Sequence, residues 1–238
     1  MKNFSEYFNT SNMTIDQLVE KFDSGMEMTE KDTDIVLLID RSGSMHDGRD
    51  DSQGGINTFI NDQKESEGNA RITLVEFNDN INVVYHGNVS DCPSYTLNPG
   101  GMTALNDATG TSIDFLGKIL DKSENKPGFV LFCIVTDGGE NCSEEYTTES
   151  IKEMIKHQED KYSWKFLYLG ADFDAVSDST SLGLSAASAV NFSKTNSSAN
   201  YSILSAKVST ARSATIAGDH EATICAMEYT DSEREEIE

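Results

Sequence analysis

The segment Asp34-Ile-Val-Leu-Leu-Ile-Asp40 constrains the fold more than any other stretch of the chain. A continuous aliphatic run without polar alternation suits a strand buried on both faces, and such strands belong to sheets covered by helices on each side. Three further runs, Ile72 to Phe77, Phe129 to Val135 and Phe166 to Leu169, have the same character. Between them the apolar residues fall at helical spacing: Ile56, Phe59 and Ile60, then Leu105, Ala108, Ile113, Leu116 and Leu120, then Ile151, Met154 and Ile155. Strands alternating with helices predict an α/β fold, doubly wound and Rossmann-like, with a mostly parallel central sheet. One departure is expected. The stretches ITLVEF and INVVYHG are separated only by Asn78, Asp79 and Asn80, which is hairpin chemistry and predicts one antiparallel strand at the sheet edge.

The ends differ from the middle. Residues 1–32 carry seven acids and three bases, with Thr14-x-x-Gln17 predicting a capped short helix over Leu18, Val19 and Phe22. After Gly170 the pattern predicts a helix through Asp174, Val176 and Leu182, a short run Ala189 to Phe192, and a Ser- and Ala-rich helix from about Tyr201 to Arg212. Ile224 to Tyr229 reads as a last strand or extended segment, followed by an acidic helix or tail.

Charge excludes some partners. Lys and Arg total 18 against 41 Asp and Glu, a formal charge of −23 over 238 residues. Nucleic acid and anionic membranes require a basic surface, so neither is expected as a partner. The longest apolar runs are far shorter than a membrane span, and MKNFSEYFNTSNMT has no basic segment followed by an apolar core, so no secretory signal is expected. Cys92, Cys133, Cys142 and Cys225 lack metal-binding or disulfide-framework spacing, and Cys133 inside FVLFCIV reads as a small buried hydrophobe. The triplets at Asn88, Asn141 and Asn191 match glycosylation acceptors and are read as chance matches in an Asn- and Ser-rich chain.

Chemistry concentrates where strands end, because ligands of open parallel sheets sit beyond the carboxyl ends of the strands. The first strand runs into Asp40-Arg41-Ser42-Gly43-Ser44, one carboxylate and two hydroxyls on a tight loop. FVLFCIV runs into Thr136-Asp137-Gly138-Gly139, a second carboxylate followed by glycines. Gly100-Gly101-Met102-Thr103 offers a third hydroxyl at the mouth of a helix. Three hydroxyls and two carboxylates suit a hard divalent cation that prefers oxygen ligands. With only two carboxylates, such a site leaves the ion an open position that an outside carboxylate can take. Each residue also has an ordinary role open to it: Asp40 and Asp137 as turn caps, Ser42 and Ser44 as turn residues, Thr103 as a helix cap.

The D-x-S-x-S spacing of Asp40, Ser42 and Ser44, followed by the Thr103 loop and the T-D-G turn at Asp137, resembles the metal-ion-dependent adhesion site of von Willebrand factor type A (VWA) domains. The resemblance covers about residues 33–213, leaving 1–32 as an acidic N-terminal extension with a short helix and 214–238 as an acidic C-terminal extension. GGINTFINDQK, TDGGEN and IKEMIKHQEDKYSWKFLYLGAD look like the free-standing VWA proteins of bacteria and their phages. The resemblance implies Mg²⁺, with Mn²⁺ or Ca²⁺ as alternatives, bound by Asp40, Ser42, Ser44, Thr103 and Asp137. Within the family the two serines bind directly, Thr103 directly or through water, and the two aspartates often through water. Asp107 is expected as an outer-layer residue or a charge near a helix N-terminus, and Asp47, Asp50 and Asp51 as solvated.

The resemblance implies a protein-binding module, not an enzyme: a partner presenting an exposed Glu or Asp completes the metal's shell. The location it implies is the cytoplasm of a bacterial cell or a phage particle. An alternative is a structural or regulatory assembly component, of a phage particle or an ATPase or stress-response complex, that does not use the metal. A metal-assisted phosphoryl hydrolase is a third reading, but only Arg41 and His46 flank the loops, and no phosphate-binding loop or nucleophile elbow is present. The charge of −23 further predicts basic residues around the partner's carboxylate.

Overall fold

The computed structural model describes residues 13–22, 26–170, 175–191, 197–230 and 232–234. The expected helix start at Asp174, the end of the run at Phe192, and residues 1–12 and 235–238 of the two extensions lie outside the described residues.

Six strands form one sheet: β1 (Thr33–Asp40), β2 (Ala70–Phe77), β3 (Ile81–Asn88), β4 (Phe129–Thr136), β5 (Lys165–Gly170) and β6 (Ala189–Asn191). Their spatial order is β3-β2-β1-β4-β5-β6. All neighbours are parallel except β2 and β3, whose antiparallel register carries an irregularity between Leu74 and Val75. This is the doubly wound sheet with one antiparallel edge strand that the runs and the Asn78–Asn80 turn predict. β1 lies centrally, and all eight of its residues are buried.

Strand periodicity sorts the core into two layers. Ile35, Leu37 and Ile39 of β1 face one side with Leu131, Cys133 and Val135 of β4; there they meet Phe59 and Ile60 of α2 (Arg49–Glu65) and Leu204 and Val208 of α6 (Ser197–Ala217). Val36 and Leu38 face the other side with Phe132 and Ile134, and meet Leu116 of α3 (Leu105–Lys122) and Ile151 and Ile155 of α4 (Thr148–Tyr162). α6 approaches α2 closely because Gly55 has no side chain: a Cβ there would lie 2.0 Å from the Tyr201 ring. α5 (Ala175–Ser181) precedes β6. Among the described residues no helix is long and apolar enough to cross a membrane.

Both ends of the described chain pack onto this frame. α1 (Ile15–Phe22) begins with a capping box, Thr14 N donating to Gln17 Oε1 at 2.8 Å and Gln17 N to Thr14 Oγ1 at 3.3 Å. It buries Leu18 and Val19 beside α3 and sets Phe22 edge-on to Phe115. At the other end the strand or extended segment expected over Ile224 to Tyr229 is replaced by helix over its first three residues. Ile224 lies instead in α7 (His220–Ala226), because Asp219 caps the Ala222 amide at 3.0 Å and Thr223 Oγ1 donates back to the Asp219 carbonyl at 2.8 Å. Local capping outweighs the apolar pattern there. Met227 and Tyr229 beyond it are buried in the core, and Lys207 Nζ lies 4.8 Å above the Tyr229 ring.

Candidate metal centre

β1 and β4 are adjacent, and the chain winds outward from them in opposite directions, so the loops that follow them flank a topological switch point. Asp40 is the last residue of β1 and is fully buried. Its Oδ1 accepts the Ser42 amide at 2.6 Å, which folds the loop back over the strand end. Its Oδ2 accepts the hydroxyl of Thr136, the last residue of β4, also at 2.6 Å.

The remaining candidates gather around this carboxylate. Ser42 Oγ and Ser44 Oγ share a hydrogen bond of 3.0 Å, and Ser44 Oγ donates to Asp137 Oδ1 at 2.6 Å. The position of Gly138 fixes the common centre: a Cβ there would stand 3.3 Å from Ser44 Oγ, 3.6 Å from Thr103 Oγ1 and 4.0 Å from Asp40 Oδ2. Ser42, Thr103 and Asp137 are buried and Ser44 is exposed, so the cluster opens to solvent on the Ser44 side. The fold thus brings all five sequence candidates together.

Burial raises the Asp40 carboxyl above its ordinary value, the hydrogen bonds from Thr136 and Ser42 pull it down, and the nearby Asp137 raises it again. Two carboxylates held this close repel unless a positive charge or a proton lies between them. Among the described residues no group of three or more His, Cys, Asp or Glu is placed to hold a metal; the oxygens gathered here come from the hydroxyls of Ser42, Ser44 and Thr103 and the carboxylates of Asp40 and Asp137. That donor set suits a hard cation such as Mg²⁺ or Mn²⁺ and not one that seeks sulfur or imidazole.

Several residues that hold the site escaped sequence reasoning. Thr136 lies in the T-D-G turn without an assigned role, yet it fixes Asp40. Asn78 staples the hairpin turn to the Thr103 loop, its side chain donating to the Gly100 carbonyl at 2.5 Å and its carbonyl accepting the Ala104 amide at 2.9 Å. Asn141 clamps Thr103 on both sides: its Oδ1 accepts the Thr103 amide at 2.9 Å and its own amide donates to the Thr103 carbonyl at 3.0 Å. In the sequence Asn141 closes the TDGGEN stretch that follows the T-D-G turn, but nothing there assigns it to Thr103. Asp107 does lie in the first turn of α3, but its carboxylate accepts the amides of Glu144, Glu145 and Tyr146 at 2.8–2.9 Å, anchoring the loop before α4. Arg41 lies 3.5 Å from the buried Glu76, while His46, Asp47, Asp50 and Asp51 are exposed.

A family model described as von Willebrand factor type A domain matches residues 34–205. The chain belongs to the VWA family. Among solved structures this VWA chain is similar to proximal thread matrix protein 1 from the mussel byssus, at 15% identity and a TM-score of 0.55 over 77% of this chain and 46% of that one. The pilus adhesin SpaC from Lactobacillus rhamnosus GG gives 12% identity and a TM-score of 0.54 over 79% and 30%. Manganese-loaded TRAP protein from Plasmodium vivax gives 15% and 0.50 over 73% of each chain. The chain thus spans less than half of the byssus protein, and at these identities the likeness concerns the fold alone. No curated protein matches the chain.

Proposed function

We propose that this VWA domain is a divalent-metal-dependent protein-binding module. Asp40, Ser42, Ser44, Thr103 and Asp137 hold Mg²⁺, or Mn²⁺ or Ca²⁺ in its place, and a partner protein's Glu or Asp side chain completes the ion's shell. The observation that carries this reading is the convergence of Ser44, Thr103 and Asp40 within 4.0 Å of one point beside Gly138, with Ser44 joined to Asp137. Both carboxylates belong to that cluster, so an incoming carboxylate is attracted only once the ion is in place, which makes binding metal-dependent.

Binding is favoured over catalysis by what surrounds the cluster. Phosphoryl or hydrolytic chemistry needs a general base or a cationic clamp aimed at the reacting atoms. Arg41 is held by Glu76, Arg49 donates to the Leu97 carbonyl, and His46 is exposed. The manganese-loaded state of the TRAP structure and the adhesin role in the name of SpaC point the same way for the family.

Calorimetric titration of Mg²⁺ and Mn²⁺ into metal-free protein tests the site, with Asp40→Ala and a Ser42→Ala, Ser44→Ala double variant beside the parent. Binding in the parent and its loss in both variants is expected. Equal binding in all three would overturn the assignment. A co-precipitated partner that remains after chelation, and in Asp40→Ala, would favour the metal-independent assembly role instead.

A further inference from the structure

Among the described residues two large hydrophobic side chains are exposed. Tyr162 ends α4 at the edge of the sheet opposite the metal centre, and Met102, 56% exposed, is the residue immediately before the candidate ligand Thr103. An unbranched thioether is a common and adaptable contact on binding surfaces.

Met102 is held out by a fixed backbone. Gly101 adopts φ +85°, and a Cβ there would lie 2.0 Å from Asp79 Oδ1, so only glycine fits against the hairpin turn. The Gly101 carbonyl accepts the Gly43 amide at 3.1 Å, the Gly100 amide donates to the Arg41 carbonyl at 2.8 Å, and Thr103 is clamped by Asn141. The same contact places the exposed Asp79 carboxylate beside Gly101, the residue before Met102, with Asn80 Nδ2 donating to its other oxygen at 3.0 Å. The loop that leads into Thr103 therefore carries an exposed apolar side chain at Met102, and an exposed negative charge lies against the glycine before it.

We propose that the partner's metal-seeking Asp or Glu stands on a segment with an apolar side chain beside it, which seats on Met102, and a Lys or Arg within a few residues, which pairs with Asp79. This rests on the metal-dependent binding proposed above and adds the specificity of the contact. Met102 and Asp79 are specificity-determining residues, outside the set that holds the ion.

A peptide array with one fixed central Asp or Glu and randomised flanks, probed with the whole chain in Mn²⁺ and in chelator, tests the two layers separately. In Mn²⁺ the retained peptides should be enriched about fivefold in Leu, Ile, Met or Phe next to the carboxylate and in Lys or Arg nearby, the scale of one apolar and one ionic contact. Met102→Ser should abolish the apolar enrichment and Asp79→Asn the basic one, each with calorimetric Mn²⁺ affinity unchanged. Retention that needs Mn²⁺ and the fixed carboxylate, but with unbiased flanks or with biases that survive both variants, would overturn this inference and leave the proposed function standing. Retention indifferent to chelator or to the fixed carboxylate, or no retention above the chelator background, would overturn both.

Discussion

Ser44 Oγ donates to Asp137 Oδ1 at 2.6 Å across 93 residues of sequence, joining the loop after β1 to the loop after β4. Ser44 is an exposed residue whose hydroxyl also reaches Ser42 at 3.0 Å, so one small side chain at the surface links both loops. Ser44→Ala should cost about 1 kcal/mol of stability, one hydrogen bond at a partly exposed position. If Ser44 is a ligand as proposed, the change should weaken Mn²⁺ binding at least about tenfold. Urea denaturation and calorimetry on the same variant separate the two effects.

Thr136 supports Asp40 without facing an incoming ligand. Thr136→Val removes the hydroxyl that bonds Asp40 Oδ2 and leaves that oxygen buried without its partner. Loss of such an outer-layer bond should lower Mn²⁺ affinity by about 10- to 100-fold and stability by about 1–3 kcal/mol. Thr136→Ser, which keeps the hydroxyl, should restore the affinity.

Two glycines predict opposite signs. Gly101→Ala places a Cβ at φ +85° against Asp79, and should destabilise the fold by about 1–3 kcal/mol while weakening Mn²⁺ binding through Thr103. Gly117, inside α3, has nothing within 4 Å of where its Cβ would stand. Gly117→Ala should therefore stabilise by about 0.5–1 kcal/mol, the helix-propensity difference. Thermal unfolding of both variants reads the contrast.

His86 gives the fold an acid sensitivity. Burial, with the Arg71 charge nearby, lowers its imidazole from 6.5 to about 3; Nδ1 shares a 2.9 Å hydrogen bond with Thr73 Oγ1, and the ring stands edge-on to Phe115. The unfolded chain binds this proton first, so the contribution of neutral His86 is complete above pH 6.5 and is lost as pH falls toward 3. Burial raises Asp34 and Glu76, which act in the opposite direction at lower pH, so the comparison must be with a variant. Between pH 6.5 and 4.5 the parent should lose about 2 kcal/mol more stability than His86→Gln, measured by urea denaturation at each pH.

Asp34 and Arg71 face each other in register at the start of β1 and β2, both buried, with Arg71 Nε and Nη2 donating to Asp34 Oδ2. Arg71→Met alone strands a buried carboxylate and should cost about 3–5 kcal/mol. Asp34→Leu combined with Arg71→Met should recover most of that loss, because the desolvation of both charges disappears together. Chemical denaturation of the double-mutant cycle measures the coupling.

Much of this architecture is legible in the chain because it depends on local chemistry. Aliphatic runs bounded by turn residues mark β1, β2, β4 and β5 whatever else the protein does, and Asn78–Asn80 is too short to permit anything but a hairpin. The five candidate ligands are legible for the same reason: each leaves a strand or enters a helix at a position where the backbone must turn. Ile224 to Ala226 take helix and not the expected strand or extended form, because capping by Asp219 acts over three residues and competes with an apolar pattern that suits either state.

The sequence by itself determined which segments become strands and helices and which loops carry the candidate oxygen ligands, since those choices follow from periodicity, turn chemistry and side-chain type. Only the tertiary structure decided that Thr136 holds Asp40, that Asn141 clamps Thr103, that Asp107 anchors the loop before α4, and that Met102 stands exposed at the rim. The first three depend on which strand ends lie side by side, a relationship set by packing the two core layers across the sheet between residues 37 to 96 apart in the chain, and the fourth on the close approach of Gly101 to Asp79.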